Sequence, residues 1–148
     1  MKISKRLENL TLHENNWGIN KIKNNNNFSN EVSGIKNNLI NVIKQIEKKK
    51  KKIGCFTAPA KGNTLLNYIK ISNKTIRYVA ENNQKKINKY TPGTKYKIIS
   101  DKDFIFKKID YAILLSWNYK DFFVQNSKYF KKGGKFIIPL PKVKIIQK

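Results

Sequence analysis

The stretch Thr57–Tyr68, TAPAKGNTLLNY, carries the residue types that grip an anion at the entry to a helix. Gly62 lets the backbone approach a ligand, the amides of Gly62, Asn63 and Thr64 point outward if a helix starts there, and Lys61 adds a cation. The same small residues, Ala58, Ala60 and Gly62, also let a helix pack closely on a strand, so the stretch reads equally as a phosphate grip or a tight corner. Neither a GxGxxG nor a GxxxxGK pattern is present to decide between them. Glu81, about 20 residues further on, stands where a dinucleotide fold keeps its ribose-binding acid. With Asn82 and Asn83 following, it reads as well as a solvated strand end. Trp117 leaves an apolar run, where an indole stacks on a base or sugar or plugs the core, and Asn118 is placed to cap the next helix.

Catalytic machinery does not emerge from the residues. No paired carboxylates, no Ser–His or Cys–His arrangement, no metal-ligand cluster and no glycine-rich methyl-donor loop can be read, so no catalytic residue, metal or bound cofactor is assigned. His13 is the only histidine and has no partner in sequence. Cys55, the only cysteine, supports neither a disulfide nor a zinc site and reads as a small buried hydrophobe.

The elements that must position these residues follow from periodicity. A polar segment, residues 1–28, holds a short helix over Ser4–Glu14 and ends in the asparagine run Asn24–Asn27, read as a loop. Ser29 or Asn30 then caps a long helix in which Val32, Ile35, Leu39, Val42, Ile43 and Ile46 recur at helical spacing. Strands are expected at Ile53–Thr57, Thr75–Ala80, Tyr96–Ile99, Tyr111–Leu115 and Lys135–Pro139, with an edge strand at Val143–Ile146. Helices are expected at Gly62–Ile69 and Asn118–Tyr129, with a helical turn at Asp101–Lys108. Alternation of this kind predicts an α/β fold, a mostly parallel sheet of about five strands with helices on both faces. The expectation is a Rossmann-like three-layer sandwich over residues 29–148, preceded by the long N-terminal helix. In such a sheet ligands sit beyond the carboxyl ends of the strands. APAKGNT, SWN (Ser116–Asn118) and PLP (Pro139–Pro141) should therefore share one edge.

A chain of 148 residues with 39% hydrophobic residues is large enough to bury one core. The formal net charge of +23 invites a nucleic-acid reading, but Arg6 and Arg77 are the only arginines among 32 basic residues, and arginine is the usual base reader. The lysines fit tolerant surface positions written in a biased composition, and nucleic acid is not the expected partner. No segment resembles a signal peptide or a membrane span, so a cytoplasmic protein without a membrane partner is expected.

Four motifs, APAKGNTLLNY, YTPGTKYKI, DYAILLSWNYKD and KKGGKFIIPLPKVKII, occur in the order and spacing of a known family. The chain resembles the C-terminal domain of sugar C-methyltransferases, S-adenosylmethionine-dependent enzymes that methylate a carbon of nucleotide-linked deoxysugars. The likeness begins near Leu12, with LHENNWGI, and runs to the end. It departs from the family pattern at Thr57 and Asn88, where glycine is usual, at Cys55-Phe56, where the family has Gly-Tyr, and at Ser116, where proline is usual. The zinc-binding region and the methyl-donor domain with its YHEH-like motif have no counterpart in this sequence. The resemblance implies a substrate domain that holds a nucleotide-linked sugar, with Lys61, Gly62, Asn63, Thr64, Trp117 and Asn118 near the ligand. It also implies S-adenosylmethionine for the full-length family rather than for this chain, and a separately encoded catalytic partner. A remnant of such an enzyme, a stand-alone nucleotide-binding or scaffold module using Glu81, and a basic nucleic-acid binder are the alternative readings.

Overall fold

The computed structural model describes residues 4–19 and 21–148, so residues 1–3 and 20 of the polar N-terminal segment lie outside it. Two compact units are present, Met1–Gly34 and Ile35–Lys148.

In the first unit, helix α1 spans Lys5–Trp17. The Ser4 hydroxyl accepts from the Leu7 amide at 3.3 Å, and Gly18 closes the other end at φ +77° with its N–H on the Glu14 and Asn15 carbonyls. This is how helices satisfy their orphan groups. Helix α2 then runs Ile22–Lys48. Asn24–Asn27, expected as a loop, lie inside it, and neither Ser29 nor Asn30 is a cap. Asparagine costs at most about 0.7 kcal/mol per helical position, a weak preference that the surrounding structure overrides. Asn24 also finds partners, its Nδ2 donating to the Trp17 and Gly18 carbonyls at 2.7 and 3.0 Å.

The second unit is built on six strands: β1 Ile53–Phe56, β2 Ile76–Glu81, β3 Lys97–Ser100, β4 Tyr111–Leu114, β5 Lys135–Ile138 and β6 Lys144–Ile146. Their order is β3-β2-β1-β4-β5-β6, parallel from β3 to β5, with β6 antiparallel on the edge. The architecture is thus α/β with a mostly parallel sheet of about five strands, to which the edge strand expected at Val143–Ile146 adds a sixth. Chain order reverses between β1 and β4, which puts the switch point of the sheet there.

Both faces of the sheet are buried, and the period of two along each strand sorts its side chains between them. Ile53, Cys55, Val79, Ile113 and Ile137 join Leu39, Ile43 and Ile46 of α2 and Leu66 and Ile69 of α3 (Ala60–Ile69). Phe56, Ala80, Leu114, Phe136 and Ile138 join Phe104 of α4 (Asp101–Phe106) and Tyr129 and Phe130 of α6 (Lys128–Lys131). Phe56 centres the second cluster, with ring centroids 5.2 to 6.0 Å from Phe136, Tyr129, Phe123 and Phe104. Each such ring contributes about 1.5–3 kcal/mol by burial.

The single helix expected over Asn118–Tyr129 is three pieces: a 3-10 turn Trp117–Tyr119, α5 Lys120–Asn126, and α6. Ser127 breaks it by adopting extended backbone (ψ 124°), where its hydroxyl caps α6 through the Phe130 amide at 3.3 Å. A serine that offers the backbone this alternative favours a cap over a helix interior.

Candidate functional site

β1 and β4 are neighbours in register, Phe56 opposite Leu114, so the segments that follow them leave the sheet side by side. APAKGNT, SWN and PLP follow three adjacent parallel strands and therefore share the carboxyl edge.

Thr57 is the first residue past β1 and sits at φ +67°. A β-branched residue is out of place in this left-handed region, at a cost of about 1–2 kcal/mol, which explains why glycine suits the position. Its hydroxyl lies 2.8 Å from the Ser116 hydroxyl, a hydrogen bond across the switch point that offsets part of that cost. The chain thus departs from the resembled pattern at two positions that touch each other. Asn88, the other non-glycine in a glycine place, is also at φ +67°, a conformation asparagine tolerates well.

Helix α3 begins at Ala60, two residues earlier than expected, with Pro59 as a cap that offers no side-chain bond. The Asn63 amide consequently donates to the Pro59 carbonyl at 3.1 Å. The first-turn amides without an intrahelical partner are therefore those of Ala60, Lys61 and Gly62, not those of Gly62, Asn63 and Thr64. Gly62 is buried against β4: a Cβ there would stand 2.6 Å from the Leu115 Cβ and 3.2 Å from the Pro59 Cγ. Its smallness is explained by close packing. The Thr64 hydroxyl turns back to the Ala60 carbonyl at 3.5 Å.

Lys61 is the residue that joins the two segments. Its ammonium donates to the Asn118 Oδ1 and stands 4.8 Å from the centre of the Trp117 ring and 6.0 Å from that of Tyr119. A cation held over aromatic faces gains about 0.5–1 kcal/mol at such exposure and loses little further freedom when an anion arrives. Trp117 does both of the things its sequence context allowed, packing against the Phe56 cluster while one face carries Lys61. Asn118 does not cap a helix, because the 3-10 turn moves the start of α5 to Lys120, with Tyr119 as its cap.

Glu81 is committed to the backbone. Its Oε2 accepts from the Ala58 amide at 3.1 Å, and its Oε1 accepts from the Asn82 and Asn83 amides at 2.9 and 3.1 Å. Lys86 lies 3.7 Å from the same carboxylate and donates to the Ala58 carbonyl at 2.9 Å, so acid and lysine together pin the loop after β1. A carboxylate has about four acceptor positions; amides take three, and Lys86 stands beside the oxygen that holds the fourth.

Two clefts flank this edge. One, of about 440 Å³, lies beside α3, where Ala58, Pro59 and Asn63 face Lys86, Lys89 and Tyr90. The Asn63 Oδ1 is buried without a partner among the described residues, while Asn67 bonds the Pro92 carbonyl at 3.0 Å and so docks the TPGT turn on α3. The other cleft, of about 1020 Å³, runs between α4 and α5 and includes Asp101, Phe106, Phe122 and Lys128. Burial, reinforced by the Glu81 charge and opposed by a hydrogen bond from Asn82, raises the Asp101 carboxyl above the usual aspartate range. Lys86, Tyr90, Tyr119 and Asp101 were not singled out from the sequence. Lys86 and Tyr90 lie in the polar run ENNQKKINKY, where nothing in the spacing separates a cleft residue from a solvated one.

The remaining candidates are quiet. His13 is exposed on α1, and Cys55 is fully buried, its thiol pushed up by desolvation out of the reactive range. Among the described residues no three metal-ligating side chains converge, and no helix is long and apolar enough to cross a membrane.

The family described as C-methyltransferase C-terminal domain matches residues 1–141. The chain is also similar to the C-methyltransferase NovU of Streptomyces niveus, with 33% identity over 97 residues, 65% of this chain. That match covers 23% of NovU, so the chain spans about a quarter of the length of this relative.

Proposed function

This chain belongs to the C-methyltransferase C-terminal domain family, and from that premise we propose that it is the substrate-holding part of a C-methyltransferase. It takes a nucleotide-linked deoxysugar at the carboxyl edge of a Rossmann-like three-layer sandwich. The observation that carries this reading is the convergence of Lys61, Trp117 and Asn118, brought together across the switch point from segments 57 residues apart. Lys61 neutralises the diphosphate, aided by the free amides at the start of α3. Trp117 and Tyr119 offer aromatic faces to sugar or base, and Asn118 keeps the ammonium in place.

The residues present do not fit S-adenosylmethionine. The loop after β1 has its Ala58 amide taken by Glu81, and Gly62 in the first turn of α3 packs against Leu115. The methyl donor is a matter for the full-length relatives, and this chain acts beside a domain that binds it, in the cytoplasm. Because Glu81 is engaged by three backbone amides and by Lys86, the dinucleotide alternative has less to stand on than the acid's place in the sequence suggested.

Calorimetry with a nucleoside-diphosphate deoxysugar tests the proposal. Binding is expected, and Lys61→Ala should weaken it about tenfold or more, since a charge-assisted hydrogen bond contributes about 1.5–3 kcal/mol. Absence of binding, or equal binding by Lys61→Ala, would sink the reading.

A further inference from the structure

A third cleft, of about 470 Å³, lies at the opposite, amino-terminal edge of the sheet. Five cationic side chains line it: Lys51 and Lys52 from the approach to β1, Lys74 and Arg77 from the start of β2, and Lys107 from the end of α4. Among the described residues Glu47 is the single carboxylate in its lining, and the Oε1 of that group already accepts from the Thr75 hydroxyl at 2.6 Å. Lys52 donates to the Lys107 carbonyl at 3.3 Å, and Lys107 lies 5.3 Å from the centre of the Tyr78 ring. Only Lys51 of the five has an ion-pair partner among the described residues, Asp110 at 3.3 Å. The cleft thus concentrates positive charge that the described residues leave largely unneutralised, and a concave wall focuses that field. Arg77 is one of two arginines in the chain, and its planar fork suits phosphate oxygens better than an ammonium does.

We propose that this cleft is a second binding site, for a short phosphate chain of the tripolyphosphate or nucleoside-triphosphate type. A cavity of this size falls within the range of small-molecule sites. Its cations come from separate elements around it, so they converge on a compact polyanion rather than lining a track along a strand of nucleic acid. The site is remote from the switch-point residues and uses none of them, so a ligand here is an effector or a structural anion. Its existence does not depend on what the opposite edge binds.

The test is calorimetry of the full chain with inorganic tripolyphosphate at about 0.15 M salt, where diffuse attraction is largely screened. One molecule bound per chain is expected. Arg77→Gln/Lys107→Gln should weaken binding about tenfold or more, since two charge-assisted phosphate contacts are removed. The charge-matched control Lys131→Gln/Lys142→Gln, at exposed lysines off the cleft, should bind like the parent. Should the first double variant fail to fold, Lys52→Gln/Lys74→Gln, also at exposed positions, replaces it with the same expectation. Tighter binding of ATP than of tripolyphosphate would assign the site to a nucleoside triphosphate, and equal or weaker binding to the phosphate chain alone. No binding, equal loss in both double variants, or binding of a thymidine oligonucleotide but not of tripolyphosphate would overturn the proposal.

Discussion

Replacing Gly62 by alanine sets two forces of opposite sign against each other. In a helix the change normally stabilises, by up to about 1 kcal/mol, because glycine has the most backbone freedom to lose. Here the new Cβ would stand 2.6 Å from the Leu115 Cβ and 3.2 Å from Leu115 Cδ1. The nearer atom is fixed to the backbone, and the Leu115 amide is bonded to the Phe56 carbonyl at 3.0 Å, so rotating a side chain cannot relieve the contact. Helix α3 must move away from β4 by several tenths of an ångström, and overpacking of this kind costs about 1–3 kcal/mol. The net expectation for Gly62→Ala is a loss of about 1–2 kcal/mol, or roughly 2–8 °C in Tm for a chain of this size. Gly34→Ala is the control. That position lies in α2 with nothing within 4 Å of an added methyl, so the same substitution should stabilise by about 0.5–1 kcal/mol. Urea denaturation of both variants, read at constant m-value, measures the difference. Two midpoints that both rise would refute the close approach of α3 to β4, and with it the structural explanation of Gly62.

Glu81→Ala should destabilise by about 1–3 kcal/mol in the same assay, since it strands the part-buried Ala58 amide, while the exposed Asn82 and Asn83 amides turn to water; a change below about 0.5 kcal/mol would contradict the loop-pinning role. Asp101, raised in the folded state mainly by burial, makes a contribution to stability that is fully present below the ordinary aspartate value of about 3.9 and lost as pH rises through its native pKa. Asp101→Asn should flatten that window in a pH series of unfolding curves, and a carboxyl resonance titrating at or below the ordinary value would refute the assignment. Cys55 should resist a thiol reagent in the native protein and react at the rate of unfolding, and prompt native labelling would contradict its complete burial.

Much of the fold was legible because its signals are local. Apolar runs such as YAILL and KFIIP mark strands buried on both faces, and each strand read from the sequence forms within a residue or two of its expected bounds. The motifs at the strand ends also identify the edge on which they meet, since parallel neighbours end on the same side. Less was legible where neighbours in space decide. The asparagine run is helical because a helix extends through it at little cost, and the long helix expected after Trp117 is broken where Ser127 prefers to cap.

The α/β alternation, the buried strands and the family to which the chain belongs are all written in the order of its residues, because periodicity and motif spacing act over a few residues at a time. What each candidate residue touches is decided only by the folded arrangement. Gly62 meets Leu115, Glu81 meets the Ala58 amide, and Lys61 meets Asn118, pairs separated by 23 to 57 residues in the chain. No local propensity encodes such meetings. They follow from β1 lying between β2 and β4, which brings three loops to one edge and commits some of their polar groups to one another before any ligand arrives.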